Sequence, residues 1–313
     1  MIRTENLTKG FAKERGVFSL NLNVPAGKIY GFVGPNGAGK TTTIKILCGL
    51  LKPDSGKAFI GDLEVLPRNI PEIKRKIGYM PDIFGVYEQM SVWEYLDFYG
   101  AAYKIPTKIR KQRIEEVLKL TEAMHMIDYQ VTSLSRGMRQ RIGLAKTLIH
   151  DPQILILDEP AGGLDPTARI EMRHTISRLS ALGKTILLSS HILPELSSVC
   201  DIVGIIFKGE LLVQGTVKDI TRELQEKIVI NMTVDSDMTY AKGVLERIEH
   251  VADVKAVDED QFQCAFNGTR DQVKNVLKLL VDNGVLVRWF SENEADLEDV
   301  FMNVTKQKSP SEH

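Results

Sequence analysis

Residues 34–42 read GPNGAGKTT, and their types and spacing fit the pattern G-x-x-x-x-G-K-[ST]. In such a loop the backbone N–H groups wrap phosphate oxygens. The lysine, here Lys40, reaches the outer phosphates, and the hydroxyl after it, here Thr41, holds Mg²⁺. Gly34, Gly37 and Gly39 let the chain turn with positive φ and approach an anion closely, where a Cβ would obstruct. Pro35, Asn36, Ala38 and Thr42 complete the cradle. A second chemical group stands at 158–160, where the apolar run Ile154–Leu157 ends in Asp158-Glu159-Pro160. After a phosphate loop, an acid at the end of a buried strand is placed to ligate Mg²⁺. A further acid beside it has a use if it orients or deprotonates an attacking water, so Glu159 is the candidate base. A third group is His191, which follows a second apolar strand ending in Ser189-Ser190.

These side chains need a scaffold that brings distant strand ends together. Ile44, Leu47, Cys48 and Leu51 recur at i, i+3, i+4 and i+7 and predict a helix over 41–51, its N-terminal dipole aimed at the phosphates. A strand is predicted over 28–33, preceded by short strands at 2–7 and 17–24. Ile154–Leu157 and Thr185–Ser190 read as strands buried on both faces, joined through a helix carrying Ile170, Ile176, Leu179 and Leu182. That pattern predicts a parallel sheet, whose strand ends bind ligands, so Asp158 and His191 arrive at the edge where Lys40 waits. Ile202–Phe207 and Glu210–Gln214 flank Lys208-Gly209 as a hairpin. Between the phosphate loop and Asp158 the pattern over 91–120 turns helical, with Val92, Tyr95, Leu96 and Tyr99 on one stripe. The basic run Lys104, Lys108, Arg110, Lys111 and Arg113 is read as a solvated face, with a lipid-facing or partner-facing patch as the alternative.

The chain of 313 residues, 43 % hydrophobic and 26 % charged, matches two globular domains. A net charge of −1 gives no long-range attraction to nucleic acid or an anionic membrane. Cys48, Cys200 and Cys264 are far apart and lack C-x-x-C spacing, which argues for a reduced compartment and against a disulfide framework or zinc site. No apolar run approaches the roughly 18 residues of a spanning helix, and MIRTENLTKGF is too charged for a signal peptide. Service to a membrane would run through a partner. After a helical linker at 219–226, strand, helix, strand, strand, helix, strand follow over 228–291, an order typical of ferredoxin-like modules. A closing helix is read at 296–304 and a disordered tail at 306–313.

Between the two acidic and basic blocks lies LSRGMRQR at 134–141, followed by Ile142, Ala145, Leu148 and Ile149. Read alone, Ser135 is an ordinary helix N-cap. Arg136, Arg139 and Arg141, however, oppose the helix dipole, and a bound anion or neighbouring acids would relieve that conflict. The segment resembles the LSGGQ signature of ATP-binding-cassette (ABC) ATPases, and it precedes ILILDEP as in that family. Ala161-Gly162-Gly163-Leu164-Asp165 looks like the family's D-loop, and His191 matches its switch histidine. Phe11 lies where the family stacks an aromatic on adenine, although an aromatic merely covering the β lead-in is the competing reading.

The resemblance spans essentially the whole chain and implies an α/β P-loop ATPase core over 1–218, with a β-rich lead-in and a helical insert at about 83–150. A small α+β accessory domain over 227–305 is implied beyond it. It implies ATP and Mg²⁺ as cofactors, with Thr41 and Asp158 on the metal. Two cassettes would pack head to tail, so that Ser135 and Gly137 of one close over ATP held by Gly34–Thr42 of a second copy or a related cassette. The sequence departs from the family twice. Asp82 stands where most members carry Gln, able to reach Mg²⁺ or water yet adding negative charge near the γ-phosphate. Arg136 and Met138 replace Gly and Gln of the signature. YMPDIFGVYEQMSVWEYLDFYG and ADLEDVFMNVTK are similar to a subgroup feeding exporters with separate membrane subunits, which implies a transmembrane permease partner received beside 82–90 and a place on the inner face of the cell membrane. The accessory domain would be a brace for the dimer or a regulatory cover. The alternative is a soluble ABC ATPase acting on ribosomes or DNA, but the chain has neither a second cassette nor a coiled-coil or zinc insertion.

Overall fold

The computed structural model describes residues 1–12, 15–83, 85, 89–192, 196, 198–217, 219–220 and 228–293. It divides into two compact units, 1–217 and 218–313. The closing helix and tail read at 296–313, and most of the linker at 219–226, lie outside the described residues.

The first unit opens with β1 (Ile2–Ala12), β2 (Arg15–Leu20), β3 (Asn23–Val24) and β4 (Ile29–Val33). The stretch read as one strand over 17–24 is therefore broken, and Ser19 adopts a left-handed conformation at φ 48°. Then come α1 (Lys40–Leu47), β5 (Ser55–Ile60) and β6 (Leu63–Glu64). Helix α1 is shorter than its apolar repeat predicts. Gly49 takes φ 69° directly after Cys48, a left-handed exit that ends the helix before Leu51. An element absent from the sequence reading follows: α2 (Ile70–Lys76) runs straight into β7 (Ile77–Met80).

The stretch read as helical over 91–120 holds two helices, α3 (Val92–Ala102) and α4 (Thr107–Leu120). Lys104 at φ 60° and Pro106 separate them. Ser91 and Glu94 form a capping box on α3, an N-terminal stop that the spacing S-x-x-E encodes. Next stand α5 (Arg136–Leu148), β8 (Ile154–Leu157), α6 (Pro166–Ala181), β9 (Thr185–Ser190), β10 (Ile202–Phe207) and β11 (Glu210–Gly215).

Strands β4, β7, β8, β9 and β10 form the parallel part of a sheet ordered β11-β10-β4-β9-β8-β7, with β11 antiparallel at its edge. Every residue of β4, β8 and β9 is buried, as the continuous apolar runs require of strands covered on both faces. A second, antiparallel sheet of β1, β2, β3, β5 and β6 packs its inner residues Ile2, Leu7, Val17, Leu20 and Ile60 with Tyr30, Phe32 and α1 in one core. The second unit contains β12 (Ile228–Val234), α7 (Met238–Leu245), β13 (Val251–Asp258), β14 (Gln261–Phe266), α8 (Arg270–Asp282) and β15 (Val287–Asn293). Its antiparallel sheet runs β13-β14-β12-β15 around Ile230, Met232, Phe262, Val276 and Leu280. The order of elements is the one read from the sequence.

Candidate nucleotide site

Register brings the strand ends together. Val33 pairs with Ser190 across β4 and β9, and Leu157 lies between Met80 and Leu188. The loops that follow β4, β7, β8 and β9 therefore open at one edge and carry Lys40, Asp82, Asp158 with Glu159, and His191. The phosphate loop is fastened from behind: Gly209 N–H in the β10–β11 turn donates to Ala38 O at 3.0 Å, and Ala38 N–H donates to Pro35 O at 3.1 Å. Gly37 and Gly39 have φ of 83° and 109°. Gly34 is required for a different reason from the one read in the sequence. Its φ is not positive, but a Cβ there would press on the Ile206 carbonyl and stand 2.8 Å from Ile206 Cγ2.

A cleft of about 300 Å³ is lined by Phe11, Pro35, Asn36, Gly37, Gly39, Lys40, Thr41, Thr42, Asp82 and Glu159, together with Arg15 and Gly16. Gly34 and Ala38 are buried beneath it. Arg15 and Gly16 were not singled out in the sequence. Only the β1–β2 pairing, Gly10 with Gly16 and Ala12 with Arg15, shows that they share a rim with Phe11, whose ring is 60 % exposed. Helix α1 begins at the cleft with no side-chain cap and no acid in its first turn, so its leading N–H groups are left for an anion.

Lys40 is buried. Its Nζ donates to the carbonyls of Gly34 at 2.6 Å and Pro35 at 3.2 Å and lies 3.4 Å from Glu159 Oε1. The other oxygen, Glu159 Oε2, lies 2.8 Å from His191 Nδ1. The carboxylate of Glu159 is thus held between a lysine from one loop and a histidine from another, and its own backbone is left-handed at φ 50°. Asp158 is 2 % exposed. Ser189 joins the two acids: its Oγ donates to Asp158 Oδ1 at 2.6 Å and accepts the Glu159 N–H at 3.0 Å. Sequence reasoning placed Ser189 only as the end of a strand. Its seat beside Leu157–Asp158 could be found from the parallel register alone.

Asp82 lies near these acids, and its carboxyl is pushed above the usual range. Burial is the main cause, the charges of Asp158 and Glu159 add to it, and Arg136 and His191 oppose it. Among the described residues no three His, Cys, Asp or Glu side chains gather into a metal site. The Thr41 hydroxyl and Asp158 carboxylate are hard oxygen donors of the kind Mg²⁺ takes when water and phosphate complete its shell.

Ser135 and Gly137 do not line this cleft. Ser135 caps α5, accepting the Met138 N–H at 3.3 Å. Gly137 packs toward α6, where a Cβ would meet Ala168 at 3.5 Å and Leu164 at 3.8 Å. The arginine cluster finds acids at one position, since Arg141 pairs with Glu171 and lies 3.9 Å from Glu122.

A phosphate cradle on a parallel sheet, a paired strand-end acid and histidine, and a capped signature helix are parts of one machine. The ABC transporter family profile matches residues 17–162. The bacitracin transport ATP-binding protein BcrA of Bacillus licheniformis is 37 % identical over 305 residues, 97 % of each chain. This chain belongs to the ABC transporter family. The linearmycin resistance ATP-binding protein LnrL of Bacillus subtilis (strain 168) is 31 % identical over 97 % of this chain and 98 % of its own. A solved dimeric bacterial ABC transporter cassette shares the fold, with TM-score 0.62 and 24 % identity over 69 % of this chain and 99 % of the cassette. The protein is an ATP-binding subunit of an ABC transporter and an ATPase.

Proposed function

We propose that this cassette powers an exporter, hydrolysing Mg·ATP between two cassettes beneath a separate transmembrane permease. The observation that carries the reading is Glu159, with Lys40 at 3.4 Å on one oxygen and His191 at 2.8 Å on the other, at the wall of the phosphate cleft. Lys40 neutralises the β and γ phosphates, whose oxygens compete with the Gly34 and Pro35 carbonyls for its ammonium. Thr41 and Asp158 hold Mg²⁺, Asp82 stands by for the metal or a water, and Mg²⁺ supplies charge neutralisation at the phosphates. Glu159 orients the attacking water and accepts its proton, while His191 hydrogen-bonds to Glu159 and senses the γ-phosphate. Phe11 stacks on the base.

Ser135 and Gly137 are exposed or half-buried and away from their own cleft. They act on the nucleotide of a second cassette, so ATP bridges two subunits and its hydrolysis separates them. Among the described residues no helix is long and apolar enough to cross a membrane, so the path for cargo belongs to the permease. Similarity along the full length to subunits named for bacitracin transport and linearmycin resistance supports an antibiotic-like cargo moved outward. The same similarity favours a transporter over a soluble ATPase on ribosomes or DNA, and a net charge of −1 predicts weak nucleic-acid binding.

Glu159→Gln tests the assignment. Loss of the general base lowers turnover by about 10²–10⁴-fold, while ATP binding persists and ATP-dependent dimers accumulate. Parental turnover in this variant would remove Glu159 from the chemistry. Variant subunits that stay monomeric with Mg·ATP, even with the permease present, would refute the sandwich.

A further inference from the structure

Arg136 and Gly163 meet in a way that no feature of the cleft requires. Gly163 sits in the Ala161–Asp165 loop with φ 67°. A Cβ built on it would stand 2.7 Å from Arg136 Nη1 and 2.8 Å from Nε, and closer still to Cζ. The guanidinium therefore occupies the space beside this glycine that a side chain would need. Arg136 is exposed; its charge acts on the Asp82 carboxyl, but among the described residues no ion pair joins it to an acid. Its position is one of packing on the loop.

That loop is bonded back to Glu159. Gly162 N–H donates to Glu159 O at 2.9 Å, and Leu164 N–H donates to Ala161 O at 3.3 Å. A Cβ on Gly162 would lie 3.4 Å from Glu159 Cβ and 3.8 Å from Asp82 Oδ1. Leu164 is buried, and Asp165 caps α6 by accepting the Ala168 N–H at 2.9 Å. The loop is therefore a pair of consecutive turns, anchored at its far end by α6. Its near end is Glu159, and Arg136 presses on its middle. Two cationic side chains touch this stretch, Lys40 at Glu159 and Arg136 at Gly163.

We propose that Arg136 is a positioning residue for hydrolysis: its guanidinium, lying against Gly163, fixes the 161–165 loop and through it the placement of the Glu159 carboxylate. The proposal rests on the reading of Glu159 as the general base. It ties the first residue of the signature helix α5 to the hydrolytic acid of the same chain, so a displacement of α5 is transmitted to Glu159. Arg suits the role because its guanidinium is planar and rigid, whereas a lysine brings a point charge on a flexible stem.

The test is steady-state ATPase kinetics of the full chain with its permease for R136A, R136K, G163A and R136A/G163A, beside E159Q. Nucleotide affinity is measured separately by equilibrium binding of a fluorescent ATP analogue. R136A lowers kcat by about 10-fold or more, as loss of about an ångström of alignment does. Its KM and nucleotide affinity stay within about 2-fold of parental values, because loosened chemistry without lost binding changes kcat alone. R136K recovers only part of the loss. G163A lowers kcat more when Arg136 is present than when residue 136 is alanine, because only the former pair collides. Parental kcat in R136A, full recovery in R136K, or independent effects of the two substitutions would each overturn the proposal. E159Q separates the two levels: if it is inactive while R136A is unimpaired, only the positioning role fails, and if it is active, the reading beneath it fails.

Discussion

Ser189 offers the sharpest test of how the site is held together. Its hydroxyl is wholly buried and makes two bonds at once, donating to Asp158 Oδ1 at 2.6 Å and accepting from Glu159 N at 3.0 Å. Ser189→Ala removes both. The bond to a charged acceptor contributes about 1.5–3 kcal/mol and the neutral one about 1 kcal/mol, giving a loss of about 2–4 kcal/mol. For a unit of this size, each kcal/mol shifts the melting temperature by about 2–4 °C. The variant is expected to melt about 5–15 °C below the parent in differential scanning calorimetry. The damage is also chemical, since one hydroxyl sets the direction of the Asp158 carboxylate and of the peptide that begins Glu159. Turnover falls by about 10-fold or more, with the larger deficit at low Mg²⁺ if Asp158 serves the metal. Ser190→Ala is the control, because the Ser190 hydroxyl is engaged with Ile192 rather than with either acid. A melting temperature and a rate unchanged in Ser189→Ala would refute the claim that this hydroxyl organises the strand ends.

The parallel core was legible because its signal is local and redundant. Ile154–Leu157 is an uninterrupted apolar run and Thr185–Ser190 has an apolar centre, Ile186–Leu188; the fold buries every residue of both, and the phosphate loop announces the turn between β4 and α1. What failed to show was decided by single backbone conformations or by pairing. Nothing in the apolar repeat Ile44, Leu47, Cys48, Leu51 warns that Gly49 will leave the helix at φ 69°; the glycine was visible, but its conformation was not. The stretch read as helical over 91–120 holds two helices, because a left-handed Lys104 precedes Pro106; the stripe Val92, Tyr95, Leu96 and Tyr99 ends before that break and does not signal it. Strand β7 is only four residues long, too short for alternation to register, yet it delivers Asp82 to the cleft.

The candidate site divides along the same line. Residues that act through type and spacing, such as Lys40, Thr41, Asp158 and Glu159, could be nominated from the chain itself. Residues that act through register could not. Arg15 and Gly16 reach the cleft through the β1–β2 hairpin, Ser189 reaches Asp158 across β8 and β9, and Arg136 meets Gly163 only once α5 and the start of α6 are packed. Charge conflict was a usable pointer here. Three arginines at a helix N-terminus call for compensation, and the fold answers differently for each: Arg141 takes Glu171, Arg139 donates to the Leu134 carbonyl at 3.1 Å, and Arg136, packed on Gly163, acts on the Asp82 carboxyl.

Two further expectations follow from exposed and buried side chains of the first unit. Phe11→Ala removes a ring that is 60 % exposed at the cleft rim; stacking on a base is worth about 1–3 kcal/mol, so ATP affinity in equilibrium binding falls by about 5- to 150-fold, with kcat at saturation retained. Affinity unchanged in that variant would assign Phe11 to covering β1 alone. Lys146 on α5 concerns pH. Burial pulls its ammonium down from 10.5 to about 8, while the unfolded chain keeps the ordinary value. Between these limits the unfolded state binds more protons than the folded state, so stability rises as pH increases from about 8 toward 10.5, and below about pH 8 the cost of a buried charge is borne in full. Lys146→Met removes that titration while keeping an apolar stem of similar length. Its melting temperature should exceed the parent's at pH 7, and the gap should shrink as pH rises through the window. A gap that stays constant or widens with pH would show that the Lys146 ammonium is not the group that burial penalises.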